Sequence, residues 1–165
     1  MADIISIYYQ SPVGLLKISG TDDYICQVSF RDKPGDDAVV ASPLPPLLIR
    51  CTEQLIEYFN GQRRVFDLPL NQQGSKFQQD IWGILMTIPF GKTISYMQQS
   101  IRLGDPNAIR AVASANGKND IAIIVPCHRV IGSDRTLTGY AGGLWRKRWL
   151  LEHETKIAYG VQTLF

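Results

Sequence analysis

Five consecutive apolar residues, Ile121-Ala122-Ile123-Ile124-Val125, run into Pro126 and then into Cys127-His128. Such a β-branched run belongs in a core. A proline fixes its own φ and pushes the residue before it toward extended backbone, so the pattern predicts a buried strand ending at a stiff corner. The corner carries a cysteine beside a histidine. Cysteine attacks as the thiolate, and a neighbouring imidazole or a hydrogen-bonded relay supplies the base that generates it near neutral pH. The competing reading is an inert core thiol, since free cysteine is among the most buried residue types. Taken alone, the pair favours the inert reading, and the surroundings must decide.

The 165 residues, 45% hydrophobic and 19% charged, make a folded chain of one ordinary domain or two small ones. No apolar stretch approaches the roughly 20 residues of a membrane span. Met1-Ala2-Asp3-Ile4 lacks the basic region that opens a secretory signal, so the expected location is cytoplasmic. Three cysteines, Cys26, Cys51 and Cys127, form no Cys-x-x-Cys pair, and there are two histidines, His128 and His153. That set supplies neither a disulfide framework nor a zinc site, and no metal is expected. The net charge of +2 is uneven: Asp22, Asp23, Asp32, Asp36 and Asp37 lie in the first half, whereas Arg102, Arg110, Lys118, Arg129, Arg135 and Arg146-Lys147-Arg148 lie in the second. The asymmetry suits an anionic partner for the second half, although a charge run is more often a solvated helix face.

Alternation through Ile4-Ile5-Ser6-Ile7-Tyr8-Tyr9, a turn at Ser11-Pro12-Val13-Gly14 and Leu15-Leu16-Lys17-Ile18 predict a β-hairpin. A third strand over residues 24–30, a breaker-rich loop over 31–42, a helix over 46–59 and an edge strand over 66–70 follow. Residues 1–72 thus form an α/β domain with a mostly antiparallel sheet. Asn71-Gln72-Gln73-Gly74 is the linker, and residues 73–165 form a mainly α domain. There Ser75-Lys76-Phe77-Gln78 and Ser95-Tyr96-Met97-Gln98 have the form of capping boxes, each opening a helix. Asp105-Pro106 predicts the N-terminus of a further helix that ends at Asn116-Gly117. Two short helices across a tight turn at Gly104 make a helix-turn-helix candidate. On its second helix Ile109, Val112 and Ala113 share the face expected to pack, while Ala108, Ala111 and Ala115 cluster on another, with Arg110 between. An alanine face allows close approach of a partner, but alanine is also simply the best helix former.

Residues from about 77 to 154 strongly resemble the O6-alkylguanine-DNA alkyltransferases, also called methylated-DNA-protein-cysteine methyltransferases. The resemblance is carried by Pro126-Cys127-His128-Arg129-Val130, Ala115-Asn116-Gly117-Lys118-Asn119, Ile94-Ser95-Tyr96, Arg110-Ala111-Val112, Gly139-Tyr140-Ala141-Gly142-Gly143 and Trp149-Leu150-Leu151-Glu152-His153-Glu154. It implies that Cys127 takes an alkyl group irreversibly from O6 of guanine, once per molecule and without a cofactor, in double-stranded DNA bound through the minor groove. His128 would deprotonate Cys127 through a water, Glu154 would hold the imidazole, and Asn119 would brace the turn. Tyr96 would help rotate the nucleotide and protonate the departing guanine. Arg110 would fill the vacated stack, with Ala108, Ala111, Ser114 and Ala115 facing DNA. Tyr140 would wall the pocket, with Ala141, Gly142 and the carbonyls of Cys127 and Val130 around the base. The resemblance further implies a monomer in solution, with cooperative binding on DNA and O4-alkylthymine repair as candidate extensions.

Two departures stand out: Asp120 occupies a usual proline position, and Ala141 replaces a frequent serine. The N-terminal half resembles the family's ribonuclease-H-like domain more loosely, through its Ser11-Pro12-Val13-Gly14 turn and element order, and lacks the metal ligands of some members. Rival readings are a lesion-binding alkyltransferase-like protein, against which Cys127 argues directly, a helix-turn-helix regulator reading the major groove, and, weakest, a cysteine hydrolase.

Overall fold

The computed structural model describes residues 3–35 and 43–160. The chain divides into two compact units, Met1–Gln72 with Asp120–Ile124, and Gln73–Asn119 with Val125–Phe165.

In the first unit, β1 (Ile5–Ser11), β2 (Gly14–Gly20) and β3 (Ile25–Arg31) form an antiparallel sheet in that order. Ser11 pairs with Gly14 across a two-residue loop; the Ser11 hydroxyl accepts from the Val13 N–H at 3.1 Å and donates to the Gly14 carbonyl at 2.7 Å. Gly14 sits at φ 104, where a side chain would be strained. Leu16, Ile18, Ile25 and Val28 are buried with Leu48, Cys51, Leu55 and Tyr58 of α1 (Pro46–Phe59), each large apolar side chain contributing roughly 1.5–3 kcal/mol. The edge strand expected over 66–70 reduces to a single parallel bridge between Leu70 and Ile25. The predicted loop lies partly outside the described residues.

The strand expected over 121–125 does not form, because two tight turns break it. Ile121 makes one parallel bridge to Val28, and the Ile124 N–H then donates to the Ala122 carbonyl at 2.7 Å across Ile123, whose φ is 70. This is the rare, strained γ-turn, here at a buried β-branched residue. Residues 120–124, expected in the second domain, pack within the first compact unit: the Asp120 carbonyl accepts from the Val28 N–H, and the Ala122 N–H donates to the Val28 carbonyl, both at 2.9 Å.

In the second unit α2 (Lys76–Leu85) and α3 (Tyr96–Leu103) both open with complete capping boxes, at Ser75/Gln78 and Ser95/Gln98. Gly104, in the left-handed region, ends α3. Asp105 does not cap the next helix. Its side chain accepts from Asn107 N–H at 3.0 Å and its carbonyl from Ala108 N–H at 3.1 Å, so Asp105-Pro106 forms a separate turn and α4 begins later, spanning Ile109–Gly117. Gln99 and Asn116 exchange two amide hydrogen bonds of 2.8 Å between the buried faces of α3 and α4. The Trp82 indole donates to the Ala115 carbonyl at 2.9 Å, joining α2 to α4. Finally β4 (Ile94–Ser95) pairs in parallel with β5 (Val130–Ile131), and α5 (Leu144–Tyr159) buries Leu150 and Leu151.

Candidate active site

Pro126 has φ −85 and ψ 66, and the Cys127 N–H donates to the Val125 carbonyl at 2.9 Å. These are the dihedrals of an inverse γ-turn. The stiff corner anticipated from Pro126 is therefore present without a strand before it. A 3-10 turn, Cys127–Arg129, leads straight into β5. Because β5 pairs with β4, and β4 is continuous with α3, the ladder fixes Tyr96 relative to Cys127. Asn119 holds the corner by donating to the Val125 carbonyl at 2.9 Å, and its amide also lies 3.5 Å from the Cys127 sulfur.

Cys127 keeps part of its surface open, yet burial of the thiol is the strongest influence and raises its pKa. The Asn119 amide and, more weakly, the Lys147 ammonium pull it back. Cys51 is pushed up to about 12 by burial alone, and Cys26 is raised mainly for the same reason. Of the three cysteines, Cys127 is the one that Lys147 acts on: Cys26 feels Lys17 instead, only after burial and a nearby Asp120.

His128 is wholly buried and its Nε2 lies 2.7 Å from Glu154 Oε2. A carboxylate at that distance accepts the Nε2 proton and leaves Nδ1 as the basic nitrogen of the neutral ring. Nδ1 has no hydrogen-bond partner among the described residues. Burial lowers the His128 pKa; Glu154 opposes this, and the Arg129 and Lys147 cations reinforce it. Glu154 is held in place by more than the imidazole. It also accepts from Arg129 Nε at 2.8 Å, Arg129 Nη2 at 3.1 Å and the Gly91 N–H at 3.2 Å. Burial works against its ionisation, but His128 and Arg129 together keep the carboxyl well below the usual carboxylate range.

Around this core the Tyr96 hydroxyl donates to the Thr138 carbonyl at 2.9 Å, and burial raises the pKa of the phenol. Tyr140 is raised further, by burial and then by Cys127 and Glu154. Val130 and Gly142 are buried, whereas Ala141 is exposed. On α4, Arg110, Ala111 and Ser114 are exposed and Ala108 is half-buried. The expected faces need one exchange: Ala115 is buried, its carbonyl taken by Trp82, and Ala113 is exposed. The open face therefore runs through 110, 111, 113 and 114. Among the described residues, no three His, Cys, Asp or Glu side chains group as a metal site. No helix among them is long and apolar enough to cross a membrane.

Family models for the 6-O-methylguanine DNA methyltransferase ribonuclease-like and DNA-binding domains match residues 4–72 and 76–156. A methylated-DNA–protein-cysteine methyltransferase of Mycolicibacterium paratuberculosis is 43% identical over 156 residues, 94% of each chain. This chain belongs to the 6-O-methylguanine DNA methyltransferase family. The constitutive methylated-DNA–protein-cysteine methyltransferase of Bacillus subtilis is 46% identical over 155 residues, covering 91% of this chain and 94% of its own. The crystal structure of Mycobacterium tuberculosis OGT in complex with DNA superimposes with a TM-score of 0.84 at 40% identity, covering 92% of this chain and 93% of that one. The expected two-part architecture, an antiparallel-sheet ribonuclease-like domain and a helical DNA-binding domain, is that of the methyltransferase family.

Three residues of the methyltransferase site were not singled out for a role by sequence reasoning. Arg129 is buried as the second clamp on Glu154, and its Nη1 donates to the Ile88 carbonyl at 2.7 Å. Gly91, at φ 79, brings its N–H to Glu154; a Cβ there would meet the Ala158 Cβ at 2.7 Å. Lys147 is buried in what read as a solvated charge run. Its signal was available: counting back from Glu154, Leu151 and Leu150 by helical spacing reaches Lys147 on the same stripe. Asp120, at the usual proline position, uses the N–H that proline lacks, donating to Gln72 Oε1 at 2.9 Å.

Proposed function

We propose that this chain repairs O6-alkylguanine in double-stranded DNA by moving the alkyl group onto Cys127, irreversibly and once per molecule. The observation that carries the reading is the buried His128–Glu154 pair beside a cysteine at the end of a tight turn: a base with its tautomer set, next to a thiol that burial keeps protonated. A thiol in that state needs a proton acceptor before it can attack. The unpartnered His128 Nδ1 receives the proton, relayed by a water, and the Glu154 carboxylate stabilises the imidazolium. Asn119 stabilises the charge on sulfur through its amide N–H.

The thiolate displaces guanine from the alkyl carbon. A sulfur–carbon bond forms, the carbon–O6 bond breaks, and its electron pair leaves with the base, which takes a proton from Tyr96. The thioether has no comparable leaving path, so the protein is consumed. Reaching O6 requires the base to leave the stack, at a cost of a few kcal/mol that an inserted side chain partly offsets. Arg110, exposed and with no polar contact among the described residues, is that side chain, and Ala111 and Ser114 beside it let the minor-groove backbone approach. Tyr140, Ala141, Gly142 and the carbonyls of Cys127 and Val130 receive the flipped base. The protein works as a cytoplasmic monomer without a cofactor. A duplex carrying one O6-methylguanine tests this: the lesion converts to guanine with no base or nucleotide excised, one lesion per protein molecule. Repeated turnover, or binding of the lesion without its conversion, overturns the proposal.

A further inference from the structure

One buried charge has no part in these steps. Lys147, in the first turn of α5, is fully inaccessible to solvent, and no carboxylate among the described residues pairs with it. Its ammonium meets three neutral acceptors instead: the Thr138 carbonyl at 2.9 Å, the Gly139 carbonyl at 3.3 Å and the Tyr96 hydroxyl oxygen at 3.5 Å. It also lies 5.7 Å from the centre of the Tyr96 ring. The Tyr96 hydroxyl thus accepts from the cation and donates its own proton to the Thr138 carbonyl that Lys147 also contacts, so the two groups share one hydrogen-bonded cluster. A cation donating to a phenol oxygen stabilises the phenolate and makes the phenol a stronger acid.

We propose that Lys147 is the source of the proton that leaves with guanine, acting through Tyr96. This rests on the reading of Tyr96 as the acid for the departing base. As the carbon–O6 bond breaks, Tyr96 gives its proton to guanine and Lys147 passes one of its own to the phenolate oxygen. Lys147 ends neutral, Tyr96 ends as a phenol, and the proton from Cys127 rests on His128, so the site's net charge is unchanged. Burial brings Lys147 down to about 8, with Cys127 pulling the other way, which is the range of an effective acid near neutral pH. Burial raises Tyr96, so a lasting phenolate is disfavoured and reprotonation is useful. Loss of the Lys147 charge also removes one of the cations that disfavour protonated His128.

The test compares two reactions of Cys127 in the full chain, each followed by peptide mapping: transfer from O6-methylguanine in a duplex, and alkylation by iodoacetamide, whose iodide leaves without a proton. Lys147→Met should slow transfer from DNA at least about tenfold more than it slows iodoacetamide. Lys147→Arg keeps a positive charge but cannot release a proton near neutral pH, so it should restore the iodoacetamide rate and not the DNA rate. The wild-type DNA rate should fall as pH rises through about 8, and that limb should vanish in Lys147→Met. The titratable groups facing Lys147 are Tyr96 from α3 and Cys127 and His128 from the 3-10 turn; iodoacetamide reports the latter two alone. Equal losses in both reactions, or full DNA activity in Lys147→Arg, overturn the proposal. Tyr96→Phe separates the layers. If it is slow while Lys147→Met is normal, only the role of Lys147 fails; if Tyr96→Phe is itself normal, the role of Tyr96 fails too.

Discussion

Glu154→Gln isolates what the buried carboxylate contributes. The Glu154 carboxylate accepts from His128, from Nε and Nη2 of Arg129 and from the Gly91 N–H. Glutamine offers one acceptor oxygen and turns an NH2 group toward either the imidazole or the guanidinium, so at least one buried donor is orphaned. Breaking a buried charged pair from one side costs roughly 3–5 kcal/mol, a large part of the 5–15 kcal/mol that holds a typical domain together. The rate should fall separately. A unit charge about 4 Å from an imidazolium, at an effective dielectric of 20, stabilises it by about 4 kcal/mol. If the glutamine oxygen recovers about a third of that, the proton acceptor for Cys127 weakens by two to three kcal/mol, or on the order of a hundredfold in rate. Arg129→Met added to Glu154→Gln removes the orphaned guanidinium and should recover stability without recovering rate, a non-additivity expected of contacting residues. Denaturant melts give the stability, rapid-quench single-turnover transfer gives the rate, and anisotropy with intact duplex gives the affinity, which should stay near wild type. A folded Glu154→Gln protein that transfers methyl within about twofold of wild type would refute the relay.

Arg110→Ala should slow transfer from duplex DNA while leaving reaction with a free O6-alkylguanine base unchanged, because only the duplex requires a filled stack; a rate comparison on the two substrates decides it. Trp82→Phe should lower stability by about 0.5–1.5 kcal/mol through loss of the indole hydrogen bond to the Ala115 carbonyl, which keeps its 3.1 Å bond from the Lys118 N–H, read from a denaturant melt. Native stability should decline as pH falls below the ordinary 6.5 of histidine, since His128 stays neutral in the fold while the unfolded chain takes up a proton. A second decline should begin below about 4.5, where the unfolded Glu154 protonates and the native one does not, and Glu154→Gln should lack that part. Melts over a pH series measure both.

Local signals carried most of the fold. The Ser95/Gln98 capping box and Gly104 bound α3 closely because caps depend on a few adjacent residues. The α1 helix over 46–59 and the 11–14 hairpin turn follow for the same reason. The failures occurred where tertiary contacts outweigh local preference. Ile121 to Val125 read as a strand, but Ala122 is held to Val28, Cys127 bonds back to Val125, and the backbone folds into γ-turns that no hydrophobic pattern encodes. Asp105-Pro106 suits a helix start and a β-turn equally, and the turn formed. In the candidate site, the family's motifs pointed to Cys127, His128 and Glu154, and the structure joins the last two by a 2.7 Å hydrogen bond. Arg129 lies within the same motif, but sequence does not reveal that a charge next to the histidine folds back onto the same carboxylate. Lys147 was obscured by its charged neighbours on α5, although helical spacing from Leu150 and Leu151 placed it on the buried stripe.

The central claim is that the sulfur of Cys127 is the acceptor. Incubation with an excess of duplex containing O6-methylguanine, followed by mass mapping of the cysteine peptides, should show one methyl group on the Cys127 peptide, none on Cys26 or Cys51, and none anywhere in Cys127→Ala. A methyl group on either of the other two cysteines, or continued transfer by the alanine variant, contradicts the account.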